Sequence, residues 1–247
     1  MILPDWPAPL AVRAVSTTRL GGVSQPPYDS LNLGTHVADD LAAVAENRRL
    51  LRQHAGLPGE PVWLSQVHGN TVVNAAEAVA GTVADACFSI TPGVVCAIQT
   101  ADCLPVLFCD TAGRMVAAAH AGWRGLAGGV LEATVQVMAG QGVPVDAVLA
   151  WLGPAIGPTA FEVGDEVRQA FVEHDPAAAM AFVPHGDGKW RADLFRLARQ
   201  RLAACGVTRI HGGDICTVSD PQRFFSHRRD RISGRQASLI WLETPSA

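Results

Sequence analysis

The sequence predicts an α+β fold built on mixed β-sheets, and three observations lead there. β-prone segments gather in blocks, above all between Val62 and His120, with amphipathic helical stretches between the blocks rather than in regular strand–helix alternation. Hydrophobic residues make up 49% of the 247 residues against 17% charged, enough to bury a substantial core. No repeat, low-complexity tract or linker interrupts the chain, so residues 1–247 are expected to form a single domain.

A first strand is expected over Ala11 to Thr17, followed by a polar, glycine-rich loop, RLGGVSQPPYDSLNLG. Asp39 to Ala55 reads as a helix, because acids at its start, bases in its last turn and Gly56 beyond it match dipole and C-cap preferences. Within the strand block, VVCAIQTADCLPVLFC and MVAAAH flank a turn at Thr111 to Gly113, as a hairpin requires. Leu126, Val130, Leu131, Val135 and Met138 recur at helical spacing, which predicts one helix over Leu126 to Ala139 with Gly140 as its stop. A strand at Ala147 to Gly153, helices at Asp165 to Glu173 and Ala192 to Ala204, a strand near Val207 to Ile210 and a closing strand at Ala237 to Glu243 complete the pattern.

Composition narrows the function classes. A net charge of −4 and a pI near 6.0 provide no basic field for nucleic acid or acidic lipid. No stretch reads as a membrane span or a signal peptide, so a cytoplasmic protein is expected, and its six scattered cysteines read as reduced thiols. The dinucleotide fingerprint GxGxxG and the Walker phosphate loop are both missing.

Three short segments carry the chemistry. SQVHGN, TADCLP and AAHAGWRG set His68, Cys103 and His120 into otherwise apolar, β-prone sequence. Two imidazoles and one thiolate suit zinc, and three protein ligands leave a fourth position for water or substrate. The hairpin places Cys103 opposite His120 or one residue off, while His68 must arrive by tertiary contact. Composition alone leaves open a buried structural thiol and satisfied core histidines, and the paired-cysteine zinc spacings are absent.

Other residues are candidates around that centre. Gly122 to Gly125 sit where a strand turns into a helix, so backbone amides with Arg124 could dock an anion; a plain tight turn is the competing reading. Arg19 and Ser24 in RLGGVS could surround a phosphate or ribose, against an ordinary loop. Arg48, beside Asn47 in the first helix, is a substrate-binding candidate, although both could equally be surface residues. Asp102 is a candidate partner for a ligand histidine, and Asp85 reads as a carboxylate needing a partner in apolar surroundings. The run FFSHRRDRISGR is either a solvated loop or a phosphate-steering segment in which Phe224 and Phe225 stack on a base. The other histidines, His36, His54, His174, His185, His211 and His227, show no ligand spacing.

With RLGGVS, SLNLG, the DD…ENRR helix, SQVHGN, ADACFS, TADCLPVLF, AAHAGWRG, LGPAIGP, FEVG and SHRRD…GRQAS in place, the chain resembles the bacterial laccase-domain family described as zinc-containing purine nucleoside phosphorylases. Older descriptions of that family are multicopper polyphenol oxidases and peptidoglycan editing factors. The resemblance covers nearly the whole length, and it implies an α+β sandwich of mixed sheets with helices outside. It implies a catalytic zinc on His68, Cys103 and His120, phosphorolysis of adenosine, inosine, guanosine or methylthioadenosine, and deamination of adenosine as a second activity. ADACFS departs from the family's more usual ADALVT-like run, which bears on Asp85. The implied partners are purine nucleosides and phosphate, with no nucleic acid or membrane, in a monomer or small homo-oligomer. Three rivals stand beside this reading: a copper-dependent polyphenol oxidase, a cysteine hydrolase using Cys103 with His120 as base, and an accessory protein with structural zinc.

Overall fold

The computed structural model describes residues 1–244 and has the expected α+β class. At its centre lies a mixed sheet in the order β12 (Arg209–Gly212), β8 (Val148–Leu152), β6 (Leu104–Asp110), β7 (Val116–Ala121), β4 (Ala86–Ser89), β3 (Val72–Asn74). A second mixed sheet, ordered β1 (Val12–Ser16), β13 (Gln236–Leu242), β5 (Cys96–Thr100), β2 (Val62–Trp63), packs against it.

The period of two along each strand sorts the core into layers. Leu107, Cys109, Val116, Ala118 and Cys87 of the first sheet meet Cys96, Ile98, Ile240 and Leu242 of the second. Their alternates Val106, Phe108, Ala117, Ala119 and Phe88 turn the other way. There they pack on Leu131 and Val135 of helix α3 (Val130–Gly140) and Leu197 and Leu202 of helix α5 (Leu194–Ala204). The far side of the second sheet, with Val95, Ala97, Leu239 and Trp241, is covered by Leu51 of helix α1 (Leu41–Ala55). Helices therefore lie outside two stacked sheets.

Several boundaries differ from expectation for local reasons. The acids before α1 do not sit in its first turn; Asp40 is the N-cap, accepting from the Ala42 amide, and Gly56 closes the helix at φ 60°. The helix expected over Leu126 to Ala139 is two, α2 (Trp123–Ala127) and α3, separated by Gly128 and by Gly129 at φ 88°. The apolar spacing runs through the break, so periodicity alone joins what the Gly-Gly pair divides. A small sheet of β9 (Glu162–Gly164), β11 (Lys189–Ala192) and β10 (Phe182–Pro184), set beside helix α4 (Asp165–Val172), was not expected. Its strands are three or four residues long, each with a single buried residue, Val163, Phe182 or Ala192, too short to carry an alternating apolar signature. The SHRRD segment contains a single turn of helix, α6 (His227–Asp230).

Candidate metal centre

The site is assembled at one end of the central sheet. His120 lies in β7 on the face turned toward the second sheet, and Ala119 pairs with Ala86 of β4, so Asp85 falls opposite His120. The His120 amide donates to the Asp85 carbonyl at 2.7 Å, and ring nitrogen Nδ1 lies 2.8 Å from the Asp85 carboxylate. Asp85 is fully buried. A lone carboxylate there would be costly, but three further donors reach it: the amides of Val67, His68 and Gly69, at 3.1, 2.8 and 2.7 Å. These bonds hold the SQVHGN loop with His68 at φ 63°, a left-handed conformation that side chains rarely adopt. One carboxylate thus positions both histidines.

Cys103 arrives by a different device. The hairpin register pairs Pro105 with His120, so Cys103 lies two residues before the facing position, not opposite His120 or one residue off. The chain leaves β5 at Thr100 and bends, with Asp102 at φ 89°. The buried Asp102 carboxylate accepts from Thr217 Oγ1 at 2.6 Å, Ser226 Oγ at 3.0 Å and the Arg228 amide at 2.6 Å. Asp102 is therefore not the histidine's partner; it clamps the Cys103 turn to the C-terminal SHRRD segment, and Asp85 takes the role expected of it.

The donor atoms of His68, Cys103 and His120 all lie within 4.8 Å of one another. Cys103 Sγ is 3.7 Å from His68 Nε2, and the two imidazole centroids are 4.7 Å apart at 67°. Gly122 makes this closeness feasible: a Cβ there would sit 2.8 Å from His68 Cδ2 and 2.9 Å from Cys103 Sγ. At Gly125 a Cβ would stand 2.9 Å from the Gly69 carbonyl, so GWRG is glycine-rich because it packs on the donors and their loop. Burial alone would raise the Cys103 thiol, yet the His120 and His68 imidazoles bring it down to about 6. His120 goes the other way: burial opposes its charge, but Cys103 and then Asp85 raise it to about 9. The thiolate character and the Asp85-fixed imidazole suit a borderline-soft ion such as zinc, which His68, Cys103 and His120 would hold.

The donors open onto a cavity of about 740 Å³. Arg48 and Arg124 line it, together with Trp63, Gln66, Gln99 and Arg235. His36 and His227, which have no ligand spacing, also face it. Arg48 lies over the Trp63 ring at 4.3 Å, and Asn47 is fully buried, so neither is a plain surface residue. A smaller apolar pocket of about 150 Å³, with Trp123, Ile156, Phe161 and Leu194, lies on the other side of Cys103.

Arg19 and Ser24 are not brought to this cavity. Arg19 donates to the Asp29 and Pro221 carbonyls at 2.7 and 3.2 Å, and the buried Ser24 hydroxyl donates to Asp39 at 2.6 Å. Both hold their own loop. Phe224 and Phe225 are fully buried, which removes them as a platform for a base. Of the basic run, Arg229 is spent on the Thr217, Val218 and Phe224 carbonyls and on Asp230, whereas Arg235 faces the cavity. No sequence signal distinguishes Arg235 from its neighbours in that run.

Stacked mixed sheets with a histidine–cysteine–histidine donor set lining a cationic cavity define a protein with, among its described residues, one candidate metal centre facing a cavity. The chain belongs to the family described as multi-copper polyphenol oxidoreductase laccase, whose model matches residues 13–243. It is 58% identical over 243 residues to the purine nucleoside phosphorylase YfiH of Escherichia coli, covering 98% of each chain. It is 60% identical over 243 residues to the purine nucleoside phosphorylase PA4543 of Pseudomonas aeruginosa, again covering 98% of each chain. Among solved structures it is similar to the Neisseria meningitidis protein NMB0706, with a TM-score of 0.93 at 55% identity over 98% of this chain and 99% of that one. The structure of YlmD from Geobacillus stearothermophilus gives a TM-score of 0.89 at 33% identity, covering 95% of this chain and 93% of that one.

Proposed function

We propose that the chain, as a single domain, is a zinc-dependent purine nucleoside phosphorylase with His68, Cys103 and His120 as the metal ligands. Its substrates are adenosine, inosine, guanosine and methylthioadenosine with inorganic phosphate, and deamination of adenosine is its second activity. The observation that carries this reading is the three-donor group at the cationic cavity, in a chain 58% and 60% identical to proteins named purine nucleoside phosphorylase.

Phosphorolysis joins a phosphate oxygen to the ribose C1′ and breaks the bond from C1′ to the purine nitrogen, giving free base and ribose 1-phosphate. A bound zinc supplies Lewis acidity and a water of lowered pKa. The chain's own residues supply the rest. Asp85 fixes His120 through Nδ1 and leaves Nε2 toward the donors, while its hold on the Val67–Gly69 amides aims His68. The Asp102 clamp sets the Cys103 sulfur, and Arg48, Arg124 and Arg235 give the cavity the positive charge an anionic co-substrate requires. For deamination the residues after His68 are Gly69 and Asn70, so no glutamate stands two places beyond that ligand, and a different group must move the proton.

The family's description favours a second reading, a copper-dependent polyphenol oxidase. Among the described residues one three-donor group occurs, fewer donors than a multicopper cluster takes. As the protein acts on soluble nucleosides, we place it in the cytoplasm as a monomer or small homo-oligomer, without nucleic-acid or membrane partners. Among the described residues no helix is long and apolar enough to cross a membrane.

Incubation of the purified protein with adenosine, with and without phosphate, tests the reading when adenine, inosine and ribose phosphate are resolved. Phosphate-dependent adenine release supports it. Phenol oxidation by a copper-loaded protein that leaves adenosine intact contradicts it.

A further inference from the structure

The main cavity carries an excess of positive charge that no carboxylate among the described residues relieves. Arg48, Arg124 and Arg235 line it with four histidines, and no aspartate or glutamate is among its lining residues. None of the three arginines has a carboxylate within ion-pair distance among the described residues. The acid whose charge Arg48 senses, Glu60, is engaged by Trp63 Nε1 at 2.8 Å and Arg52 at 3.6 Å.

Two of these arginines are held side by side through one stretch of backbone. Arg48 Nε and Nη2 donate to the Leu33 carbonyl at 3.1 and 2.9 Å, and the Leu33 amide donates to the Arg235 carbonyl at 3.0 Å. Gly34 packs so tightly on Arg235 that a Cβ would stand 2.8 Å from its Cγ and 3.4 Å from His36 Cε1. Arg235 Nη1 is spent on the Ser233 and Gly234 carbonyls at 2.9 and 3.0 Å. Arg48 Nη1 and Arg235 Nε and Nη2 then have no acceptor among the described residues, on guanidinium groups fixed by their remaining bonds. Burial, followed by the charges of Arg235 and Arg48, holds the His36 pKa down. Arg235 also senses the charge of Cys103.

Partly desolvated guanidinium groups without a counter-charge are costly unless an anion completes them, and their fork geometry matches a tetrahedral oxyanion. We infer that Arg48 and Arg235, with His36 beside them, form the inorganic phosphate subsite of this cavity. The assignment rests on the phosphorylase reading for the reaction, but the anion site itself does not.

The test uses the full-length, zinc-loaded protein with inorganic phosphate as the probe, measuring its affinity by calorimetry and its KM at saturating adenosine. Arg48→Gln and Arg235→Gln are each expected to weaken both by about tenfold or more, about 1.4 kcal/mol, in keeping with loss of a charge-assisted hydrogen bond. The adenosine KM and zinc content should move less than about twofold. Arg235→Lys should recover part of the loss, because it restores charge without the fork. Arg48 also pins Leu33, so if Arg48→Gln fails to fold, Arg235→Gln decides. A folded Arg235→Gln protein with wild-type phosphate affinity, or one that loses adenosine instead, overturns the assignment. Phosphate binding that disappears in the variants, from a wild type that cleaves no purine nucleoside, upholds the anion site and refutes the phosphorylase reading.

Discussion

Asp85 and His120 are bonded twice across neighbouring strands, backbone to backbone at 2.7 Å and carboxylate to Nδ1 at 2.8 Å. Because the same carboxylate gathers the amides of Val67, His68 and Gly69, one buried side chain fixes the mutual placement of both imidazoles. Its charge is sustained there: burial opposes ionisation, but the His120 bond and the loop amides hold the pKa below the usual carboxylate range.

Asp85→Asn keeps the shape but replaces an acceptor with an amide that cannot take all four donors. Zinc affinity is expected to fall by about 10–100-fold, the range for loss of a group that orients a metal ligand. Competition with a chromogenic chelator reads this directly, and an unchanged affinity would show that the SQVHGN loop is aimed by something else.

Gly122→Ala places a methyl 2.8 Å from His68 Cδ2 and 2.9 Å from Cys103 Sγ, so the donors must separate. Metal stoichiometry should drop sharply while the far-ultraviolet dichroism of the fold persists. Gly140→Ala at the end of α3 meets no atom within 4 Å and should be neutral or stabilising by up to about 1 kcal/mol. Equal effects at the two glycines would refute the steric argument.

Asp102→Asn disturbs an acceptor shared by Thr217, Ser226 and the Arg228 amide, and leaving such buried donors unmatched costs about 1–3 kcal/mol. A lowered melting temperature together with weakened zinc binding is expected. A double-mutant cycle with Thr217→Val should show non-additivity; strictly additive effects would mean that the two side chains do not act as one clamp.

Thiol labelling separates five of the six cysteines. Cys109 is pushed up to about 12 by burial and Asp110, and Cys96 is buried and raised through its Cys87 contact, so these stay inert. Cys103 and Cys216 are partly accessible with lowered pKa, and both should react first with iodoacetamide in metal-free protein. Zinc should then protect Cys103 and leave Cys216 reactive. Protection of both, or of neither, as followed by mass spectrometry, contradicts the proposed ligand set.

The α+β class was legible because β-prone segments and helix periodicity are local, but the stacking of two sheets was implied only by the family resemblance: β6 is buried on both faces, Leu107 and Cys109 turning one way and Val106 and Phe108 the other. The three donor residues stood out for the same reason, as polar chemistry set in apolar sequence. Their supports did not. Asp85 partners His120 through strand register, and Asp102 reaches Thr217 and Ser226 across more than a hundred residues, relations that no local pattern encodes. Arg235 and His36 join Arg48 through the backbone of Leu33 and Gly34, whereas Arg19 and Ser24, in an equally suggestive glycine-rich motif, are spent on Asp29, Pro221 and Asp39.

Zinc-edge X-ray absorption on the purified protein, alongside total metal analysis, tests the central claim most directly. The account predicts one zinc per chain with a single sulfur neighbour near about 2.3 Å and nitrogen or oxygen neighbours near about 2.0 Å. In Cys103→Ala the sulfur contribution should vanish while the fold remains. A zinc environment without sulfur, or a sulfur signal that survives Cys103→Ala, would contradict it.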